Sequence, residues 1–169
     1  MTQPYGQIKT AADLTSIARA MEERSADRYR ELAEAFDMAC NPDTAEAFRL
    51  LAAEEERHAD EFPPAGADAH VHVLDWFDQA PEIADPDSVH YLMLPWHAYD
   101  LALRAEERAL DFFTTLASAA VSADIRALAH QLAEREAGHL QHARARRDAC
   151  PEPHAGWWDD EDGPNWNAD

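Results

Sequence analysis

The sequence repeats itself. Moved forward by 84 positions, Glu22, Glu23, Arg24, Asp27, Tyr29, Leu32 and Ala33 fall on Glu106, Glu107, Arg108, Asp111, Phe113, Leu116 and Ala117. Moved by 81, Asp43, Leu51, Ala52, Glu55 and His58 fall on Asp124, Leu132, Ala133, Glu136 and His139. A repeat of this length is one supersecondary unit that cannot bury its apolar face alone, so the two copies must pack on each other.

Each copy reads as a helical hairpin. Apolar residues recur at three- and four-residue spacing, and breakers punctuate them. A first helix is expected from about Thr10 to Met38. A second follows Asn41-Pro42-Asp43, with Asp43 as its cap, and stops before Pro63-Pro64. A third is expected to run to about Ala120, with Pro95 in its first turn or at its boundary, and a fourth, capped by Ser122 or Asp124, to about Ala149, ahead of Pro151 and Pro153. Pro63, Pro64, Gly66, Pro81 and Pro86 break the stretch between the hairpins. The expected fold is all-α, a four-helix bundle over residues 1–150 with repeats at about 10–62 and 88–149 and one crossover at 63–87. Residues 151–169 form an acidic tail with Trp157, Trp158 and Trp166.

The inward stripe of each helix carries a carboxylate where a core residue belongs. Helix one gives Ala18, Glu22, Ser25, Tyr29, Ala33 and Phe36; helix two gives Phe48, Leu51, Glu55, His58 and Phe62. Helix three gives Tyr99, Leu103, Glu106, Leu110, Phe113 and Ala117; helix four gives Ile125, Ala129, Leu132, Glu136, His139 and Ala143. A buried, unpaired carboxylate is very costly, and four converging ones also repel each other, so a cation must sit among them. These stripes contain neither Lys nor Arg. Glu-x-x-His at i, i+3 aims an oxygen and a nitrogen donor at one point, and four carboxylates with two imidazoles suit two divalent ions, Fe, Mn or Zn, better than soft Cu(I). Glu23, Glu54, Glu56, Glu107 and Glu134 read as the solvated faces of the same helices.

The segments Glu22-Glu-Arg-Ser-Ala-Asp-Arg-Tyr29, Glu55-Glu-Arg-His58, Glu106-Glu-Arg-Ala-Leu-Asp-Phe-Phe113 and Glu136-Ala-Gly-His139 resemble the rubrerythrin branch of the ferritin-like superfamily over residues 10–148. The resemblance implies a ferritin-like bundle with a di-iron carboxylate site. It implies that Glu55 and Glu136 bridge the metals, with Glu22 and His58 completing one shell and Glu106 and His139 the other. Tyr29 matches a tyrosine that donates a hydrogen bond to a ligating carboxylate; its counterpart Phe113 cannot. The family's switchable carboxylate, three residues after the third-helix ligand, is Ala109 here, and Glu107 points about 100° away from Glu106 around the helix. Rubrerythrin proper adds a rubredoxin domain with four cysteines. This chain has Cys40 and Cys150 and no Cys-x-x-Cys pair, so electrons are expected from a separate donor protein. The implied activity is oxidation of Fe(II) or reduction of O2 or H2O2; iron storage or delivery, or a structural bundle around an inert ion such as Zn, are the other readings.

With 34 acidic against 14 basic side chains the net charge is −20, which disfavours nucleic acid and anionic membranes as partners. No signal peptide or membrane span is readable, so a cytoplasmic protein is expected, as a homodimer or larger homo-oligomer. His70, His72, His90 and His97 are candidates for an auxiliary metal site, and Cys40 and Cys150 read as free thiols. The three tail tryptophans are expected to dock on the bundle or on a neighbouring subunit.

Overall fold

A computed structural model describes residues 8–63, 90, 92–120 and 122–154. The described residues form four helices: α1 (Ala11–Met38), α2 (Pro42–Asp60), α3 (Pro95–Ala119) and α4 (Ala123–Ala149). The crossover beyond Pro63, His70, His72 and the tail tryptophans lie outside the described residues.

Local chemistry sets the helix ends. At the start of α1, Thr10 and Asp13 form a reciprocal capping box: the Asp13 N–H donates to Thr10 Oγ1 at 3.1 Å, and the Thr10 N–H to Asp13 Oδ2 at 2.8 Å. Its other end closes with Cys40 at φ 57°, the Cys40 N–H donating to Asp37 O and the Asn41 N–H to Phe36 O. The helix start at Asn41 differs from the expected cap at Asp43. Asn41 Oδ1 accepts from the Thr44 N–H at 3.2 Å, and Pro42 takes the first helical position, where a missing N–H costs nothing. Pro95 likewise opens α3, and Ser122 precedes α4 without a side-chain cap.

Two apolar cores lie on either side of a polar layer. One gathers Leu14, Ile17, Phe62, Phe112, Phe113, Leu116, Ile125 and Leu132; the other gathers Leu32, Phe36, Phe48, Leu51, Met93 and Tyr99. Helix α1 passes from the first core to the second, α2 and α3 pass the opposite way, and α4 returns toward the second, where Cys150 packs. Each hairpin is therefore antiparallel, while α2 and α3 run parallel. The segment between them leaves from the first core, at Phe62, and re-enters at the second, at Met93. Its far end is pinned where the carbonyl of Met93 accepts from Asn41 Nδ2 at 2.7 Å and Thr44 Oγ1 at 2.6 Å. Burying Phe36, Phe48, Phe112 and Phe113 contributes on the order of 2–3 kcal/mol each. The inward stripes are as expected, except that His58, Leu110 and His139 are only partly buried. Among the described residues no helix is long and apolar enough to cross a membrane.

Candidate metal centre

Each helix delivers one glutamate to the layer between the two cores. Glu22, Glu55, Glu106 and Glu136 are only 7%, 4%, 9% and 4% exposed. The i, i+3 spacing on α2 and α4 adds an imidazole on the same face. His58 Nδ1 lies 3.6 Å from Glu55 Oε2 and 4.0 Å from Glu22 Oε2. In the second hairpin, His139 Nδ1 lies 3.4 Å from Glu136 Oε2 and 3.8 Å from Glu106 Oε2. The six side chains singled out by the repeat therefore meet in one place. Donor atoms of Glu22, His58 and His139, and of Glu106, Glu136 and His139, fall within 4.8 Å of one another.

The two imidazoles stack face to face, centroids 3.7 Å apart and planes 5° from parallel. Two imidazolium rings in that arrangement would repel. Burial and the neighbouring His139 hold His58 below its usual pKa. Burial also pushes the carboxyls up. Glu55 rises to about 7, mainly through desolvation. Glu22 rises through desolvation and its contact with Glu55, and Glu106 through desolvation and the charges of Glu55 and Glu136.

The residues fit a cation pair. Nδ1 of His58 and Nδ1 of His139 are both buried without a hydrogen-bond partner, and a buried polar atom in a native protein calls for one. Each faces two buried carboxylates. An oxygen-rich set with two neutral imidazoles is a donor set for borderline divalent metals. Beside it lies a cavity of about 20 Å³, lined by Glu22, Ser25, Tyr29, Glu55, Glu106, Ala109, Phe113 and Glu136, with room for about one water.

Tyr29 lines this cavity while its ring stacks on Phe48 with centroids 6.0 Å apart, and Phe113 lines it from the second hairpin. Ala109 occupies the wall next to Glu106, and Glu107 is exposed, facing Arg144 at 3.9 Å. Two residues escaped the stripe reading. Arg135, one residue before Glu136 and off its stripe, reaches Glu22 with its guanidinium at 3.7 Å. Glu54, expected on the solvated face, is largely covered and bonded to Arg146 at 2.6 Å. Both side chains are long enough to return to the interior from a flanking position. A signal existed: at the 81-residue offset Arg135 falls on Glu54, a reversal of charge within an otherwise matching segment.

His97 is buried at the start of α3, where Nδ1 accepts the Leu94 N–H at 3.0 Å, and His90 Nδ1 accepts the Leu92 N–H at 3.3 Å. Both are engaged in local backbone structure and do not join the carboxylate layer. Cys40 and Cys150 are free thiols.

Comparison with known proteins agrees with this geometry. The family model for Rubrerythrin matches residues 13–146. The crystal structure of an uncharacterized conserved protein from Magnetospirillum magnetotacticum MS-1 is similar at a TM-score of 0.59 and 27% identity, over 86% of this chain and 99% of that one. No curated protein matches. A family match over nearly the whole bundle, on a ferritin-like four-helix fold whose interior carries the paired Glu and Glu-x-x-His residues, makes this chain a member of the rubrerythrin family.

Proposed function

We propose that Glu22, Glu55, His58, Glu106, Glu136 and His139 hold two iron ions, with Mn or Zn as substitutes, and that the protein is an oxidoreductase acting on Fe(II), O2 or H2O2. The observation that carries this reading is the pair of buried, unpartnered imidazole Nδ1 atoms, each within 4.0 Å of two buried carboxylates. Iron held there would supply the electrons for reduction of O2 or H2O2. Glu55 and Glu136 would be the carboxylates shared between the two ions, and their negative charge would offset the positive charge of the oxidised metal.

The surrounding residues restrict the chemistry. A cavity of about 20 Å³, room for about one water, suits a reactant as small as O2 or H2O2. Tyr29 keeps its proton, because burial and the charges of Glu55 and Glu106 raise its pKa well above the usual value. Its hydroxyl, on the wall of the same cavity, is therefore available as a hydrogen-bond donor to the carboxylates. The apolar cores above and below the layer exclude bulk water, which strengthens every charge interaction inside. A separate donor protein returns the electrons in this reading. We place the working protein in the cytoplasm, as a homodimer or larger assembly.

The test is oxidation of added Fe(II) by O2 or H2O2, with metal content measured in parallel. Wild type should bind two ions and oxidise iron rapidly. Glu55→Ala combined with His139→Ala should abolish both. Equal rates in the wild type and the double variant would remove the proposal.

A further inference from the structure

Arg135 lies off the inward stripe of α4, yet its guanidinium returns over the carboxylate layer. Its Nη2 is 3.7 Å from Glu22 Oε1 and 3.4 Å from Glu61 Oε2, and it donates to the carbonyl oxygen of His58 at 3.1 Å. The guanidinium carbon sits 4.3 Å from the centroid of the Phe62 ring. A backbone carbonyl and an aromatic face together restrain a planar group, so the positive charge stays between Glu22 and Glu61. The side chain is 23% exposed, which leaves screening incomplete.

The repeat supplies an internal control. The 81-residue offset that lays Glu55 on Glu136 and His58 on His139 lays Glu54 on Arg135. Glu54 has the opposite charge and is neutralised by Arg146. Among the described residues, the ion pairing of Glu106 is with His139. The two terminal carboxylates thus differ: each has an imidazole beside it, His58 at Glu22 and His139 at Glu106, and Glu22 has the guanidinium of Arg135 in addition.

We propose that Arg135 is a positioning residue that makes the two halves of the centre unequal: it competes with a divalent ion for Glu22, so the position of Glu22 and His58 fills after that of Glu106 and His139. The inference rests on the six-ligand reading above. An arginine cannot give up its proton to make way for a metal. An ion arriving at Glu22 therefore meets a fixed like charge and must displace it from Oε1. At Glu106 the ion partner is His139, itself one of the six ligands in this reading.

Metal-free protein is titrated with Co(II), followed by visible absorption, and with Zn(II), followed by calorimetry. Wild type should bind two ions in two steps whose affinities differ by about tenfold or more. His58→Ala should remove the weaker step and His139→Ala the stronger. Arg135→Gln should tighten the weaker step about tenfold and leave the stronger one unchanged. Glu61→Gln, at an exposed position, leaves Arg135 wholly to Glu22 and should weaken the weaker step by about threefold. Two equal steps in wild type, or Arg135→Gln shifting both steps alike or neither, would overturn the inference. Should a thermal melt show Arg135→Gln to be unfolded, Glu61→Gln decides, and an unmoved weaker step overturns the inference. Absence of any binding by wild type removes the six-ligand reading and this inference with it, whereas two bound ions without dependence on Arg135 or Glu61 remove the inference alone.

Discussion

Glu22 and His58 of the first hairpin have Tyr29 nearby and Arg135 reaching across from α4; Glu106 and His139 of the second have Phe113, while the α2 residue matching Arg135 is Glu54, which pairs with Arg146. The apolar partners also differ. Phe48 of α2 matches Ala129 of α4, and both are fully buried. The turns diverge too: Cys40 adopts a positive φ after α1, whereas Ala120 leaves α3 in an extended conformation. Duplication has kept the spacing that puts six donors in one layer and has left the packing, the turn and the outer charges to drift apart. Ligation geometry tolerates little, since the i, i+3 register must survive. Packing tolerates volume exchanged between facing positions.

The largest expected effect tests that exchange of volume. Phe48 stacks on Phe36 at 5.5 Å and on Tyr29 at 6.0 Å, with no surface exposed. Phe48→Ala should cost about 3–5 kcal/mol in urea denaturation, through lost burial plus the cavity left behind. The reverse change in the other hairpin, Ala129→Phe, should cost about 1–3 kcal/mol through overpacking. Small and equal costs would mean that the two hairpin cores are interchangeable, and the comparison would fail.

Next in size is the charge difference, read in the metal-free protein. Glu55 sits near 7 against an ordinary 4.5, and Glu22 and Glu106 are also raised. The folded chain holds protons that the unfolded chain has released, so this contribution to stability is complete below about pH 4.5 and is lost as pH rises through about 7. His58, held below its usual value, acts in the opposite direction but is a single group. Thermal melts of metal-free protein should therefore fall between about pH 5 and pH 8, and divalent metal should reverse the trend because it binds the ionised carboxylates. Glu106→Gln should stabilise the metal-free protein by about 1–3 kcal/mol near pH 7.5 and by nothing near pH 4.5. Glu22→Gln should gain less at the higher pH, because it strands the Arg135 charge. Equal gains would say that Arg135 does not distinguish the halves.

Periodicity carried the fold and the six donors because both depend on one variable, the register of a residue on its helix. Glu22, Glu55, Glu106 and Glu136 stand on stripes otherwise made mostly of apolar residues, and nearly every stripe position is buried. Arg135 and Glu54 were not legible this way. They lie beside the stripe, and their effect depends on where a long flexible side chain ends up, which register does not specify. The cap at Asn41 was missed for a related reason. Asp43 is an acceptable cap by type, but Pro42 is better placed at the first helical position than ahead of it, which moves the boundary back. His97 looked like a ligand by type and serves a local backbone bond instead.

A smaller effect is expected from the hydroxyl present in only one half. Tyr29→Phe removes the donor from the cavity wall and keeps the ring on Phe48, so two ions should still bind while iron oxidation slows about tenfold in stopped-flow absorbance. Phe113→Tyr in the same background should recover part of that loss if the pseudo-two-fold relation extends to function. No recovery would make the hydroxyl's partner specific to the first hairpin.

The smallest effect concerns the two turns. Cys40 holds φ at 57°, a region where a Cβ crowds the backbone and glycine does not. The hydrogen bonds from Cys40 and Asn41 back to Asp37 and Phe36 fix that conformation, and they use backbone atoms that any residue possesses. Cys40→Gly should therefore stabilise the protein by about 1 kcal/mol, the relief of strain exceeding the greater freedom gained by the unfolded chain. In the other hairpin Ala120 has φ −66° and ψ 129°, where alanine is unstrained. Ala120→Gly gains nothing in the folded state and should cost about 0.5–1 kcal/mol. Opposite signs for the same replacement, measured by chemical denaturation under one condition, would establish that the two hairpins close by different turns. A loss at both positions would mean that the left-handed residue at Cys40 carries no strain.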